Sequence, residues 1–69
     1  MKRPGDLTAV RPRLVDVHGA GAYLGISSWT VRELVWTKKL PEVRIGRRLL
    51  FDVRDLDALV ERNKRVETR

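Results

Sequence analysis

The side chains best suited to recognising another molecule lie in one stretch of the chain, residues 25–36. From residue 28 to about residue 39, apolar residues recur at helical spacing on one side of a predicted helix. The inward set is Val31, Leu34 and Val35, and the outward set is Trp29, Arg32, Glu33 and Trp36. A globular helix rarely exposes two tryptophans and an arginine to water. The pattern therefore predicts a helix that enters a DNA groove.

The charge of the chain points to the same class of ligand. The formal net charge is +6 for 69 residues, and arginine far outnumbers lysine. A positive field of this size favours polyanions, mainly nucleic acid, with an anionic membrane as the weaker option. Arginine suits bidentate contacts to phosphate and guanine. The same excess also arises in GC-rich genomes, so composition alone leaves both explanations open.

The composition also limits how so short a chain is stabilised and where it works. The sequence has no cysteine, which excludes disulfides and cysteine-based zinc sites. No apolar run is long enough to span a bilayer, and the N-terminus lacks the apolar stretch of a signal peptide. We expect a soluble, cytoplasmic protein that does not act at a membrane.

No arrangement of residues suggests catalysis. The chain has no glycine-rich phosphate loop and no nucleophile beside a base. Asp55, Asp57 and Glu61 fall on the exposed side of a predicted helix, where surface charge is the ordinary interpretation. His18 is the only histidine, and no partner ligand stands near it in the sequence. We expect no enzyme activity, no metal and no cofactor.

The sequence predicts three helices and a hairpin within residues 13–64. A short strand at 13–15 leads to Asp16, which caps a helix over 17–24 with Val17, Ala20 and Leu24 inward. Gly25 ends that helix in the left-handed conformation, and Ser27 or Ser28 caps the second helix, which runs to about Lys39. Asp52 caps a third helix from 53 to about 63, with an apolar stripe. The stripe is Val53, Leu56, Leu59 and Val60.

The remaining segments carry weaker signals. Residues 1–12 contain two prolines and basic residues without helical period, which predicts a flexible basic arm, and residues 65–69 are predicted to fray. Gly19 and Gly21 each weaken the first helix by about 1 kcal/mol relative to alanine. Either the backbone packs closely against the second helix there, or tertiary contacts hold a poor helix in place.

Between residues 42 and 52 the apolar period changes from helical to alternating. Four apolar residues occupy odd positions, which requires an odd-numbered loop if they share one inward face. These residues are Val43, Ile45, Leu49 and Phe51. We therefore predict a three-residue loop, Gly46 to Arg48, with a bulge. Arg44, Arg47 and Arg48 then gather at an exposed tip, where contact with phosphates is favoured over a merely solvated turn.

Residues 14–64 resemble the excisionase-type winged helix-turn-helix family, which is related to the DNA-binding domains of the MerR group. The resemblance rests on DVHGAGAYLGIS at 16–27, WTVREL at 29–34, LPEVRIGRR at 40–48 and DLDALVER at 55–62. It implies a mainly α fold with a small β-hairpin, that is, three helices plus a wing. The chain also departs from the family pattern at four positions. Lys38 stands where glycine is usual, Gly19 and Gly21 replace helix-favouring residues, and Trp29 replaces a small polar residue.

The resemblance implies that the second helix enters the major groove and that the wing covers the adjacent backbone or minor groove. The matching helix positions are Ser27, Ser28, Trp29, Thr30 and Arg32, to which we add Trp36. The matching wing positions are Arg44, Arg47 and Arg48. Base preferences cannot be transferred, because Trp29 departs from the pattern.

The function implied is that of an architectural protein bound to double-stranded DNA in a bacterial cell. MerR-type regulators add a dimerising helix and an effector domain, for which this chain has no room, so we expect no small-molecule effector. Excisionases, or recombination directionality factors, bind repeated sites beside a phage attachment sequence, bend the DNA and direct a tyrosine or serine integrase toward excision. The expected partners are DNA, an integrase and neighbouring copies of the chain.

Two alternatives stay open at this point. The same fold serves small transcription regulators. From another class, Trp29 and Trp36 could anchor a protein partner, which would make the chain an adaptor. The strand at 13–15 would also lie at a sheet edge, where exchange between two chains could form a dimer.

Overall fold

The computed structural model describes residues 12–66, in which three helices pack on a small sheet. In chain order the elements are β1 (Leu14–Val15), α1 (Val17–Leu24), α2 (Ser28–Trp36), β2 (Val43–Ile45), β3 (Arg48–Asp52) and α3 (Val53–Asn63). The sheet is antiparallel in the order β1-β3-β2, so the second hairpin strand lies at its centre. This architecture confirms the predicted fold, three helices with a wing.

The termini are described only in part. The predicted basic arm, apart from Pro12, lies outside the described residues, as do the last three residues of the predicted frayed tail. Within residues 12–66, every helix is too short to cross a bilayer.

α1 begins and ends as predicted. The side chain of Asp16 accepts a hydrogen bond of 2.8 Å from the backbone N–H of Gly19, and Gly25 closes the helix with φ of +76°. Gly21 is buried where the chain turns toward α2, and a Cβ there would lie 2.7 Å from the carbonyl oxygen of Ile26. Close backbone packing at the turn therefore accounts for Gly21. A Cβ on Gly19 would meet the Cβ of Val15 instead, at 3.0 Å.

α2 is shorter than predicted. Ser27 is the N-cap, but the helix ends at Trp36 rather than near Lys39. Lys38 has φ of +61°, its N–H donates to the carbonyl of Val35, and the N–H of Lys39 donates to Leu34 at 2.8 Å. These two bonds form a Schellman motif, which terminates helices and normally uses glycine at the position of Lys38. The prediction was wrong because lysine is an ordinary helix residue by propensity and gave no signal of a left-handed turn.

The core lies between the helices and the inner face of the sheet. Its buried members are Ala20, Val31, Leu40, Phe51, Leu56 and Leu59. The inward sets predicted for α1 and α2 are confirmed, since their other members are half-buried against this cluster. On α3 the prediction is wrong for Val60, which is 41% exposed. Val60 instead borders a surface groove that Leu24 and Ile26 also line.

The hairpin turn has two residues, not the three predicted. Ile45 pairs with Arg48, so the turn is Gly46-Arg47, and Gly46 takes φ of +61° as the first residue of a type II′ turn requires. The paired residues Val43 and Leu50 consequently lie on the face opposite the core, and Ile45 is 55% exposed. The predicted common face fails because a two-residue turn puts Val43 and Ile45 on the face opposite Leu49 and Phe51.

Asp52 joins the sheet to α3. One oxygen of its carboxylate accepts from the guanidinium of Arg13 at 2.9 Å, and the other accepts from the N–H of Arg54 at the start of α3. These two hydrogen bonds lower the pKa of Asp52 below its usual value. A second link joins the helices, because the hydroxyl of Tyr23 on α1 donates to Asp57 on α3 at 2.6 Å. Tyr23 thus connects α1 to α3, and Arg13, just before β1, is bonded to the residue that caps α3.

Candidate nucleic-acid interface

The outward face of α2 carries a pair of tryptophans in contact. The ring centroids of Trp29 and Trp36 are 5.4 Å apart and the rings are nearly perpendicular, at 85°. Residues seven apart on a helix lie almost in line, and side chains lean toward the N-terminus, so Trp36 reaches back to Trp29. An edge-to-face pair of this kind contributes about 0.5–1.5 kcal/mol beyond the area it buries.

The rings are nevertheless largely in solvent. Trp29 is 57% exposed and Trp36 is 63% exposed, and neither belongs to the core cluster. Arg32 and Glu33, between them in sequence, are exposed as well, which confirms the predicted outward set. Arg32 and Glu33 fall on opposite sides of the tryptophan line at about 100° per residue. The outward face of α2 is therefore aromatic, and its two charges cancel.

The predicted polar residues at the start of α2 bond to each other. The hydroxyl of Ser27 accepts from the N–H of Thr30 at 3.1 Å and lies 3.0 Å from the Thr30 hydroxyl. Ser28 is half-buried beside them. Ser27 and Thr30 therefore fix where α2 begins, which sets the direction in which Trp29 projects. Contact of Ser27, Ser28 and Thr30 with DNA stays a prediction.

The hairpin presents its three arginines on different sides. All three are exposed, and the strand register puts Arg44 on the face of Leu49 and Arg48 on the opposite face with Ile45. Arg47 occupies the turn itself. Arg48 also lies near the start of α1. There the pKa of the Asp16 carboxylate is lowered, mainly by the hydrogen bond from Gly19 and further by the charges of His18 and Arg48. The hairpin therefore offers positive charge in several directions rather than one cluster at the tip.

A profile of the helix-turn-helix domain matches residues 19–64, about two thirds of the chain, from α1 to the end of α3. The chain belongs to the helix-turn-helix domain family. No curated protein and no solved structure matches it. The match makes it a DNA-binding protein, but it does not distinguish excisionases from MerR-type proteins.

In this helix-turn-helix domain, α2 is the second helix and so corresponds to the recognition helix, the one that lies in the major groove. The predicted helix residues thus belong to the expected element, and the structure brings Trp29 and Trp36 together. The predicted contacts of Arg32 and of the three wing arginines with DNA remain predictions.

Three basic residues that the sequence analysis did not assign to DNA lie at the other end of the recognition helix. Lys38, Lys39 and Arg62 line an open cleft of about 420 Å³ after α2, together with one acidic residue, Glu42. Arg62 on α3 donates to the carbonyl of Lys39 at 3.0 Å. Both lysines were predicted to lie within the second helix, which was expected to run to about Lys39. The position of Arg62 beside them, 23 residues away in sequence, depends on how α3 packs and leaves no sequence signal.

Proposed function

We propose that this protein is an architectural DNA-binding protein of the excisionase type. It binds repeated sites near an attachment sequence, bends the DNA, and directs an integrase toward excision. The observation that carries the proposal is the combination of a recognition face without net charge and an arginine-rich hairpin in one small domain. The resemblance of residues 14–64 to excisionases supports the same function.

The division of charge suggests how the two elements share the work. Affinity for DNA of any sequence comes mainly from phosphate contacts. The outward face of α2 has no net charge, so phosphate binding falls to the hairpin arginines and to Lys38, Lys39 and Arg62. Sequence is read by groups on base edges. In this proposal α2 selects the site and the surrounding basic residues hold the backbone.

In this proposal the DNA bends because the protein contacts one duplex through both α2 and the hairpin. Curving a site of 20–30 base pairs by 40–90° costs roughly 1–6 kcal/mol, which additional phosphate contacts offset. A domain this small covers only part of such a site. Several copies side by side, binding repeated sequences, would therefore distribute the bend and present a shaped complex to the integrase.

A footprint on the DNA flanking the gene, followed by a bending assay, tests the proposal. We expect two or more adjacent protected sites, slower migration when the sites lie at the centre of a fragment, and excision by the nearest encoded recombinase only when the protein is added. Arg47→Ala should weaken the footprint, whereas Arg65→Ala removes the same charge at the C-terminal end and serves as the control. A single protected operator without bending or excision would favour a transcription regulator. Absence of binding to every duplex at low ionic strength would overturn DNA binding itself.

A further inference from the structure

We propose that the Trp29–Trp36 pair reads thymine methyl groups in the major groove, so that the preferred site has thymines beneath the middle of α2. This inference rests on the proposed DNA-binding function and assigns the chemistry of its recognition helix. The two rings would act together as one apolar contact surface.

The tryptophan pair is exposed and does not pack in the hydrophobic core. Both rings keep more than half of their surface in solvent, and the cluster that stabilises the fold does not include them. The two rings leave a large apolar surface in water. Binding lowers the free energy of this surface only when another apolar group covers it. The position of the rings on the outward face of the recognition helix puts that surface where the bases would lie.

The surrounding charges favour DNA as the occupant over an apolar protein surface. Lys38 and Lys39 follow Thr37, the C-cap of the helix, and the hairpin arginines add more positive charge. A complementary partner therefore carries strong negative charge around a small apolar surface. A major groove fits this description, because phosphates line both sides and the thymine C5 methyl is the apolar group that the groove exposes.

The contact between the rings also prepares them for binding. Each tryptophan is held against its neighbour at a centroid distance of 5.4 Å, so less side-chain freedom is lost when DNA covers them. Arg32 lies beside the pair and has the reach to bond a guanine or a phosphate, which would place a polar contact next to the apolar one.

Replacing thymine by uracil tests the inference, since uracil differs only by the missing methyl group. Duplexes would first be selected from a random pool by the wild-type protein. Each selected duplex would then be prepared twice, once with thymine and once with uracil in place of every thymine. We expect roughly three- to tenfold weaker binding to the uracil duplex for each methyl that is contacted, the loss that one buried methyl implies. Trp29→Ala and Trp36→Ala should bind more weakly and should bind the two duplexes equally. Val60→Ala removes an exposed apolar group from α3 and should keep the wild-type preference.

A second measurement needs no variant. Trp29 and Trp36 are the only tryptophans in the chain, so their fluorescence reports on this face alone. We expect bound duplex to shield them from quenching by acrylamide. Tight DNA binding with no shielding and equal affinity for thymine and uracil duplexes would overturn the inference while leaving the proposed function intact. Shielding by a protein partner, with no duplex bound, would overturn both.

Discussion

Gly21 and Ile26 approach so closely that a Cβ atom on Gly21 would lie 2.7 Å from the carbonyl oxygen of Ile26. The two residues are also hydrogen-bonded to each other, because the backbone N–H of Ile26 donates to the carbonyl oxygen of Gly21 at 2.9 Å. The angle between α1 and α2 thus depends on backbone meeting backbone. No side chain can move aside to make room there, so the angle that presents α2 to DNA needs a glycine at position 21.

Gly21→Ala should destabilise the domain although alanine is the better helix former. Alanine would gain about 1 kcal/mol of helix propensity, but the clash with a backbone atom forces the turn apart, and overpacking of this kind costs about 1–3 kcal/mol. We expect a net loss of stability in urea unfolding. Gly19→Ala is the matched control and should lose less, because the nearest atom is the Cβ of Val15 at 3.0 Å. A higher melting temperature for Gly21→Ala would contradict the close approach.

Much of this fold follows from local signals that need no tertiary information. The caps at Asp16 and Asp52, the left-handed Gly25 and the inward residues of α1 and α2 are all encoded within a few neighbouring residues, and each prediction was correct. The predicted hairpin register was wrong because the tight turn at Gly46 pairs Ile45 with Arg48 and leaves Ile45 exposed on the face away from the core. The contact of Trp36 with Trp29 and the position of Arg62 depend on side-chain direction and helix packing, which the sequence does not specify.

Lys38→Gly should stabilise the protein. Lys38 has φ of +61°, and a left-handed conformation costs an ordinary L-residue about 1–2 kcal/mol. Glycine adopts it freely but loses more chain entropy on folding, so we expect a net gain of roughly 0.5–1 kcal/mol. Urea unfolding at neutral pH would measure it.

Two matched variants separate backbone strain from charge at this position. Lys38→Ala removes the same charge but keeps the Cβ, and Lys39→Gly introduces glycine one residue later, where φ is not positive. Neither should stabilise the protein. Equal stabilisation by Lys38→Ala would show that relief of charge repulsion, and not the left-handed backbone, accounts for the gain.

The link between the sheet and α3 should weaken in acid. The pKa of Asp52 lies below its usual value of 3.8 because of the hydrogen bonds from Arg13 and Arg54. A carboxylate whose pKa is lowered by folding contributes stability above its unfolded pKa and loses it as the pH falls through the folded pKa. Asp52→Asn should therefore lower the melting temperature at pH 7, and its difference from wild type should shrink below about pH 4.

Arg13→Gln tests whether Arg13 or Arg54, the two hydrogen-bond donors to Asp52, causes this dependence of stability on pH. It removes the ion pair but leaves the negative charge of Asp52 at the N-terminus of α3, so its melting temperature should fall between those of wild type and Asp52→Asn at pH 7. Melting curves from pH 7 to pH 2 would check both variants. A difference between wild type and Asp52→Asn that grows in acid would contradict the assigned sign.

The two classes of arginine should differ in how their loss affects DNA binding. If Arg47 in the hairpin turn contacts a phosphate, it makes no contact with a base. Arg47→Ala should then weaken binding to all sequences about equally. It should also reduce the slope of log affinity against log salt concentration by about 1. Arg32 lies beside the tryptophan pair on the recognition helix. If it contacts a base, Arg32→Ala should cost about 1–3 kcal/mol on the preferred site only. Titrations of both variants on selected and scrambled duplexes, at several salt concentrations, separate the effects. The roles would be reversed if Arg47→Ala lost affinity only for the selected duplex and Arg32→Ala lost it for both.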